Sequence, residues 1–177
     1  MHSTSKDSLR VLGIDCGSQA TGYGIIESDG DKHQLVCAGV IRGLPKDSFS
    51  NKLLRIQQEI DTLLATHQPT ALAVEDQFYL SNFKSVLKLG QVKGVVLVTA
   101  ARAGVPVYEY SPLEIKGAVT GYGRADKFQV SQMVKRILCL GDVSLPHDAS
   151  DALAVCICHL HTALTRQKTE RRRSVHG

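Results

Sequence analysis

The sequence predicts an α/β fold: a five-stranded mixed sheet, three antiparallel strands then two parallel ones, flanked by helices. Three observations carry this reading. Short apolar runs recur at residues 9–15, 21–27, 34–41, 71–75 and 105–110. The first three are joined by connections too short for anything but antiparallel neighbours. The later runs alternate with helical periodicities, and a helical crossover returns the chain to a parallel strand.

Residues 1–8 are polar and are expected to be flexible. Residues 9–15 form the first strand, Cys16-Gly17-Ser18 a turn and residues 21–27 the second strand. Ser28-Asp29-Gly30-Asp31 is a hairpin signal leading into residues 34–41. Leu53, Leu54, Ile56, Ile60, Leu63 and Leu64 recur at near-helical spacing over residues 49–67, and Pro69 ends that helix. Residues 71–75 make the fourth strand. A long helix over residues 81–103 is closed by Gly104 and Pro106, and residues 105–110 make the fifth strand. A shorter helix spans residues 127–138. Ser144-Leu145-Pro146 opens the last helix, which runs to about residue 164.

With 177 residues the chain is large enough for one domain with a full core, expected over residues 9–165. Its net charge of +4 permits nucleic-acid binding without requiring it. Much of the excess lies in residues 166–177, which read as a basic, disordered tail. The five cysteines form no C-x-x-C pair or zinc spacing, and an odd number without a signal peptide suggests reduced thiols in a cytoplasm. Cys16, beside Asp15, is open to two readings, an oxidation sensor or a tolerated small residue. No apolar run is long enough to span a membrane.

Four acids carry the chemistry. Asp15 and Glu75 each end an apolar strand, and Asp148 and Asp151 stand three apart where the last helix begins. An unpaired carboxylate at the end of a buried strand is costly. Pairing strands one and four in parallel makes Asp15 and Glu75 neighbours, and the i, i+3 spacing puts Asp148 and Asp151 on one helix face. Converging carboxylates make a hard oxygen site suited to Mg²⁺ or Mn²⁺, the requirement for metal-assisted phosphodiester hydrolysis. Each acid also has a plain structural reading. Asp15 can open the turn before Gly17, and Asp148 and Asp151 can complement the helix dipole. Glu75 and Asp76 point to opposite faces of their strand, so only one can serve the site.

Several segments in fixed order extend this pattern. They are Leu12-Gly13-Ile14-Asp15-Cys16-Gly17-Ser18, Thr21-Gly22-Tyr23-Gly24, Val74-Glu75-Asp76-Gln77-Phe78, Leu87-Lys88-Leu89-Gly90-Gln91, Lys116, Gly121-Tyr122-Gly123, Lys127 with Gln129-Val130, and His147-Asp148-Ala149-Ser150-Asp151-Ala152-Leu153-Ala154. Together they resemble the RNase H-like superfamily and, within it, the bacterial Holliday-junction resolvases of the RuvC family, over about residues 9–161. The resemblance implies a homodimeric, Mg²⁺-dependent endonuclease of recombination and repair. Such an enzyme nicks two strands of a four-way DNA junction symmetrically, leaves 5′-phosphate and 3′-hydroxyl ends, and works with a RuvA–RuvB branch-migration motor. It implies Asp15, Glu75, Asp148 and Asp151 as catalytic ligands of two Mg²⁺ ions, with Mn²⁺ as a substitute, and selects Glu75 over Asp76. It implies Phe78 as an aromatic stacking on an unstacked base, and Lys116 and Lys127 as phosphate contacts. Lys88, Lys93 and Arg124 are further candidates by charge.

The chain departs from the pattern at Cys16, where the family usually has proline. His147 and Asp148 side by side leave the register of the last motif open, and the spacing to Asp151 favours Asp148. Within the nuclease class, an RNA-processing enzyme of the same fold is the nearest rival. A non-cleaving junction binder would gain nothing from four clustered acids facing DNA, and an actin-like kinase needs a longer chain.

Overall fold

The computed structural model describes residues 8–76 and 83–175, excluding the side chains of residues 167, 168 and 171–175. β1 (Leu9–Asp15), β2 (Ala20–Ser28) and β3 (His33–Arg42) form an antiparallel meander. α1 (Phe49–His67) then crosses to β4 (Ala71–Glu75), and α2 (Phe83–Arg102) to β5 (Val107–Tyr110). α3 (Pro112–Thr120), α4 (Lys127–Ile137) and α5 (His147–Val175) complete the chain. The sheet order is β3-β2-β1-β4-β5, with β4 parallel to both β1 and β5. This is the expected mixed sheet.

Local chemistry fixes the connections. At the β2–β3 hairpin the Asp29 carboxylate accepts from the backbone N–H groups of Asp31 and Lys32 at 2.9 and 2.8 Å. Gly30 takes a φ of +93° there, which other residues adopt only with difficulty. Ser48 caps α1 by accepting from the Asn51 N–H, and Gln68 closes it in a left-handed conformation just before Pro69.

Side chains alternate across the sheet and build two cores. Leu12, Ile14, Leu72 and Val74 pack against Ile60 of α1 and Val92 and Val96 of α2. Val11, Ile26 and Ala73 face the other way, toward Ile115 of α3, Val134 of α4 and the apolar length of α5. Residues 152–160 of α5 are all buried, so this helix is embedded rather than half-exposed.

Two elements differ from expectation. α3 was not anticipated, because its nine residues include Ile115, Gly117, Val119 and Thr120, all modest helix formers. The last helix does not stop near residue 164 but continues to Val175, so the basic segment is helical where a disordered tail was expected. No glycine or proline interrupts it, and the Thr165 and Thr169 hydroxyls donate to carbonyls one turn back. Residues 1–7, expected to be flexible, and residues 81–82, expected to begin the long helix, lie outside the described residues.

Candidate active site

The site forms where β1 and β4 end together. Their parallel register runs from Val11↔Ala71 to Ile14↔Val74, and Asp15 and Glu75 are the next residue on each strand. Both follow the alternation of Gly13 and Ala73, the α5 side of the sheet. Asp76 goes to the other face, where Lys93 of α2 donates to it at 2.5 Å and also pairs with Glu109. Glu75, and not Asp76, thus shares the cavity with Asp15, and Lys93 is paired with Asp76 and Glu109.

Glycines bring α5 down onto the strands. Gly22 lies opposite Asp15 in the β1–β2 ladder. A Cβ on Gly22 would fall 1.9 Å from the Asp148 carbonyl oxygen, and one on Gly13 would fall 2.2 Å from that of Ala152. No other residue allows the helix backbone to rest on the sheet backbone at this distance. The first turn of α5 is thus held beside Asp15, and Asp148 and Asp151 reach the same place.

Asp15, Glu75, Asp148 and Asp151 line one cavity of about 270 Å³, together with Lys116 of α3 and Lys127 of α4. Burial, then Asp151, Glu75 and Asp148, push the Asp15 carboxyl up to about 7, and Lys127 opposes this only in part. Lys127 Nζ donates to Asp151 Oδ2 at 3.2 Å, and Asp151 raises its pKa in return. Burial first and Asp15 second push the Cys16 thiol up to about 12. It therefore stays protonated at neutral pH and is a poor redox sensor. The donor set is four carboxylates without a thiolate, which fits a hard divalent cation. Among the described residues, no three acidic, histidine or cysteine side chains are gathered tightly enough to hold an ion as they stand.

The other expected residues fall into three places. Lys116 and Lys127 are on the cavity wall. Arg124 is exposed in the α3–α4 loop, and Lys88 lies on the outer side of α2 with its ammonium 5.5 Å from the centre of the Phe49 ring. Neither lines the acidic cavity. Phe78 lies outside the described residues. His147 is exposed at the start of α5 and Asp148 is half-buried, so Asp148 is the one that lines the cavity.

Sequence reasoning missed the structural reason for Gly13 and Gly22, and it missed α3, which carries Lys116 to the wall. A signal for α3 was present. Ser111, Pro112 and Glu114 form a capping box with proline at the helix start.

Comparison with known proteins shows a family and a fold. The family described as crossover junction endodeoxyribonuclease RuvC matches residues 11–159. A protein of that name from Koribacter versatilis is 49% identical over 89% of this chain and 95% of its own length. Another from Acidobacterium capsulatum is 48% identical over 93% of this chain and all of its own. Among solved structures, T. thermophilus RuvC in complex with a Holliday junction substrate superposes with a TM-score of 0.84 at 35% identity, covering 89% of this chain and 96% of that one. The yeast mitochondrial resolvase Ydc2, at 13% identity and a TM-score of 0.63, shares the fold. With residues 11–159 matched by the family and nearly half of its residues identical to such a relative over most of both chains, the chain belongs to the RuvC family of crossover junction endodeoxyribonucleases.

Proposed function

We propose that this protein resolves four-way DNA junctions by nicking two strands symmetrically, as a divalent-metal-dependent endonuclease of recombination and repair. The observation that carries the reading is the convergence of four acids and two lysines on one cavity, in a chain nearly half identical to proteins named for this activity. Asp15, Glu75, Asp148 and Asp151 would hold two Mg²⁺ ions, with Mn²⁺ able to replace them. Bound there, such ions lower the pKa of attacking water and offset charge on the phosphate. The chain's own part is to position and to screen. Gly22 and Gly13 fix α5 so that Asp148 and Asp151 meet Asp15. Lys116 and Lys127 hold the scissile strand by its phosphates, and Lys88 and Arg124 contact the arms farther out. Phe78 stacks on a base unpaired at the branch point.

Two such sites are needed for two cuts, and a two-fold dimer supplies them. On α2, Phe83, Leu87 and Val98 are exposed. They share a stripe with Gly90 and Gly94, where an added Cβ would meet nothing within 4 Å. Among the described residues, packing within one chain does not require these glycines, which supports a helix contact with a second copy. Residues 9–165 are the nuclease unit in this reading. The protein acts in the cytoplasm beside a RuvA–RuvB branch-migration motor. No helix among the described residues is long and apolar enough to cross a membrane.

A Mg²⁺-dependent assay comparing a four-way junction, linear duplex and an RNA–DNA hybrid tests the function. Paired nicks at the junction, sealable by DNA ligase, are expected. Cleavage of the hybrid with the junction spared would assign the protein to RNA processing instead.

A further inference from the structure

α4 separates two hollows. Lys127 and Val130 line the acidic cavity, whereas Phe128, Gln129, Gln132 and Arg136 line a second hollow of about 370 Å³ together with Tyr122 of the α3–α4 loop. Residues 128, 132 and 136 are spaced i, i+4, i+8 and form one stripe along the helix. Phe128 is 71% exposed and Tyr122 59%. A single exposed aromatic needs no explanation. Here two of them border the same hollow with a guanidinium and two primary amides, and no carboxylate lines it. The hollow also neighbours the acidic site across α4, because Phe128 is the next residue after Lys127, whose ammonium contacts Asp151.

We infer that this second hollow is a base-stacking subsite for the DNA strand passing the acidic site. An unstacked nucleobase lies against Phe128 and Tyr122, the amide of Gln132 faces its edge while Gln129 Oε1 is held by the Asp126 N–H at the start of α4, and Arg136 meets a flanking phosphate. Aromatic faces accept any base, amides can both donate to and accept from base edges, and a guanidinium matches phosphate. The neutral-to-basic lining and the place across α4 from a site proposed to hold phosphodiesters favour nucleic acid over a peptide. The inference rests on the junction-cutting reading above and extends it to the path of the strand.

The test uses the full chain and a fluorescent four-way junction, with affinity measured over a range of salt without divalent ions. Phe128→Ala and Tyr122→Ala should each weaken binding by about tenfold, the scale of one lost stacking contact. Their salt dependence should be unchanged, and Phe128→Trp should restore affinity. Arg136→Ala should instead reduce the salt slope by about one phosphate contact. Separately, wild-type protein should photo-crosslink to a junction carrying 5-bromouracil near the branch point, through the peptide containing residues 122–136. Wild-type affinity in both alanine variants, or a crosslink confined to other peptides, would overturn the subsite, including in favour of a protein ligand there. If an alanine variant fails to fold, the wild-type crosslink decides. Wild-type protein that ignores junctions altogether would instead overturn the junction reading itself, and the subsite with it.

Discussion

Burial and three neighbouring acids disfavour the ionised form of Asp15 more than any cation in the chain favours it. Its carboxyl holds a proton up to about pH 7 in the fold, against an ordinary value of 3.8. Between those values the folded state is protonated where the unfolded chain is ionised. Without metal, stability therefore falls as pH rises through this window and levels off above it. The displacement corresponds to a few kcal/mol at most, at roughly 1.4 kcal/mol per pH unit. Thermal unfolding in EDTA from about pH 5 to 8 should show the decline. Mg²⁺ should raise the melting temperature more at the alkaline end, and Asp15→Asn should flatten the curve. An unchanged slope in that variant would place the titration elsewhere. In cleavage, Asp15→Asn, Glu75→Gln and Asp151→Asn should each abolish nicking while keeping or strengthening junction binding, since a negative charge facing phosphate is removed. Joint loss of binding and cleavage in all three would make the acids structural. Asp15 and Glu75 stood out in the sequence because a carboxylate ending an apolar strand conflicts with burial, and Asp148 and Asp151 because they stand three apart where a helix begins. The Lys127–Asp151 contact was not, because it joins two helices whose relative placement no local pattern encodes.

At the scale of elements, the contact between β2 and α5 decides where the site is. Gly22→Ala puts a methyl group where the Asp148 carbonyl now sits. Backbone cannot yield as a side-chain tip does, so α5 must lift. Overpacking of this kind costs about 1–3 kcal/mol, yet the displaced acids should cost far more in activity. Unfolding and cleavage measured side by side on Gly22→Ala should show a folded protein with little or no nicking, and full activity would dismiss the glycine contact as a positioning device. The sequence showed both partners of this contact as apolar, helix or strand segments, but periodicity carries no information on how closely two backbones approach. α3 was hidden by its modest propensities although its capping residues were visible. The end of α5 was misplaced because clustered arginines suggest solvation and say little about backbone conformation.

For the whole molecule, topology was the most legible level. Short connections forced the meander and helical crossovers forced the parallel pairs, and the order β3-β2-β1-β4-β5 follows from those two rules. The proposed two-fold dimer rests on the surface of α2. Gly94→Glu or Val98→Glu should weaken the homodimer by burying a charge at its contact. Sedimentation at micromolar concentration should find wild type as a dimer and the variants shifted to monomer. A monomer near 19.2 kDa that still makes paired, symmetric cuts would sink the dimer. The embedded last helix has a further consequence for how the protein is made. Asp15 and Glu75 leave the ribosome long before Asp148 and Asp151, and the face of the sheet that α5 covers stays open until that helix has been synthesised. A nascent or prematurely ended chain therefore carries half of the acids and no assembled centre, so destructive potential toward the genome arrives only with the completed fold.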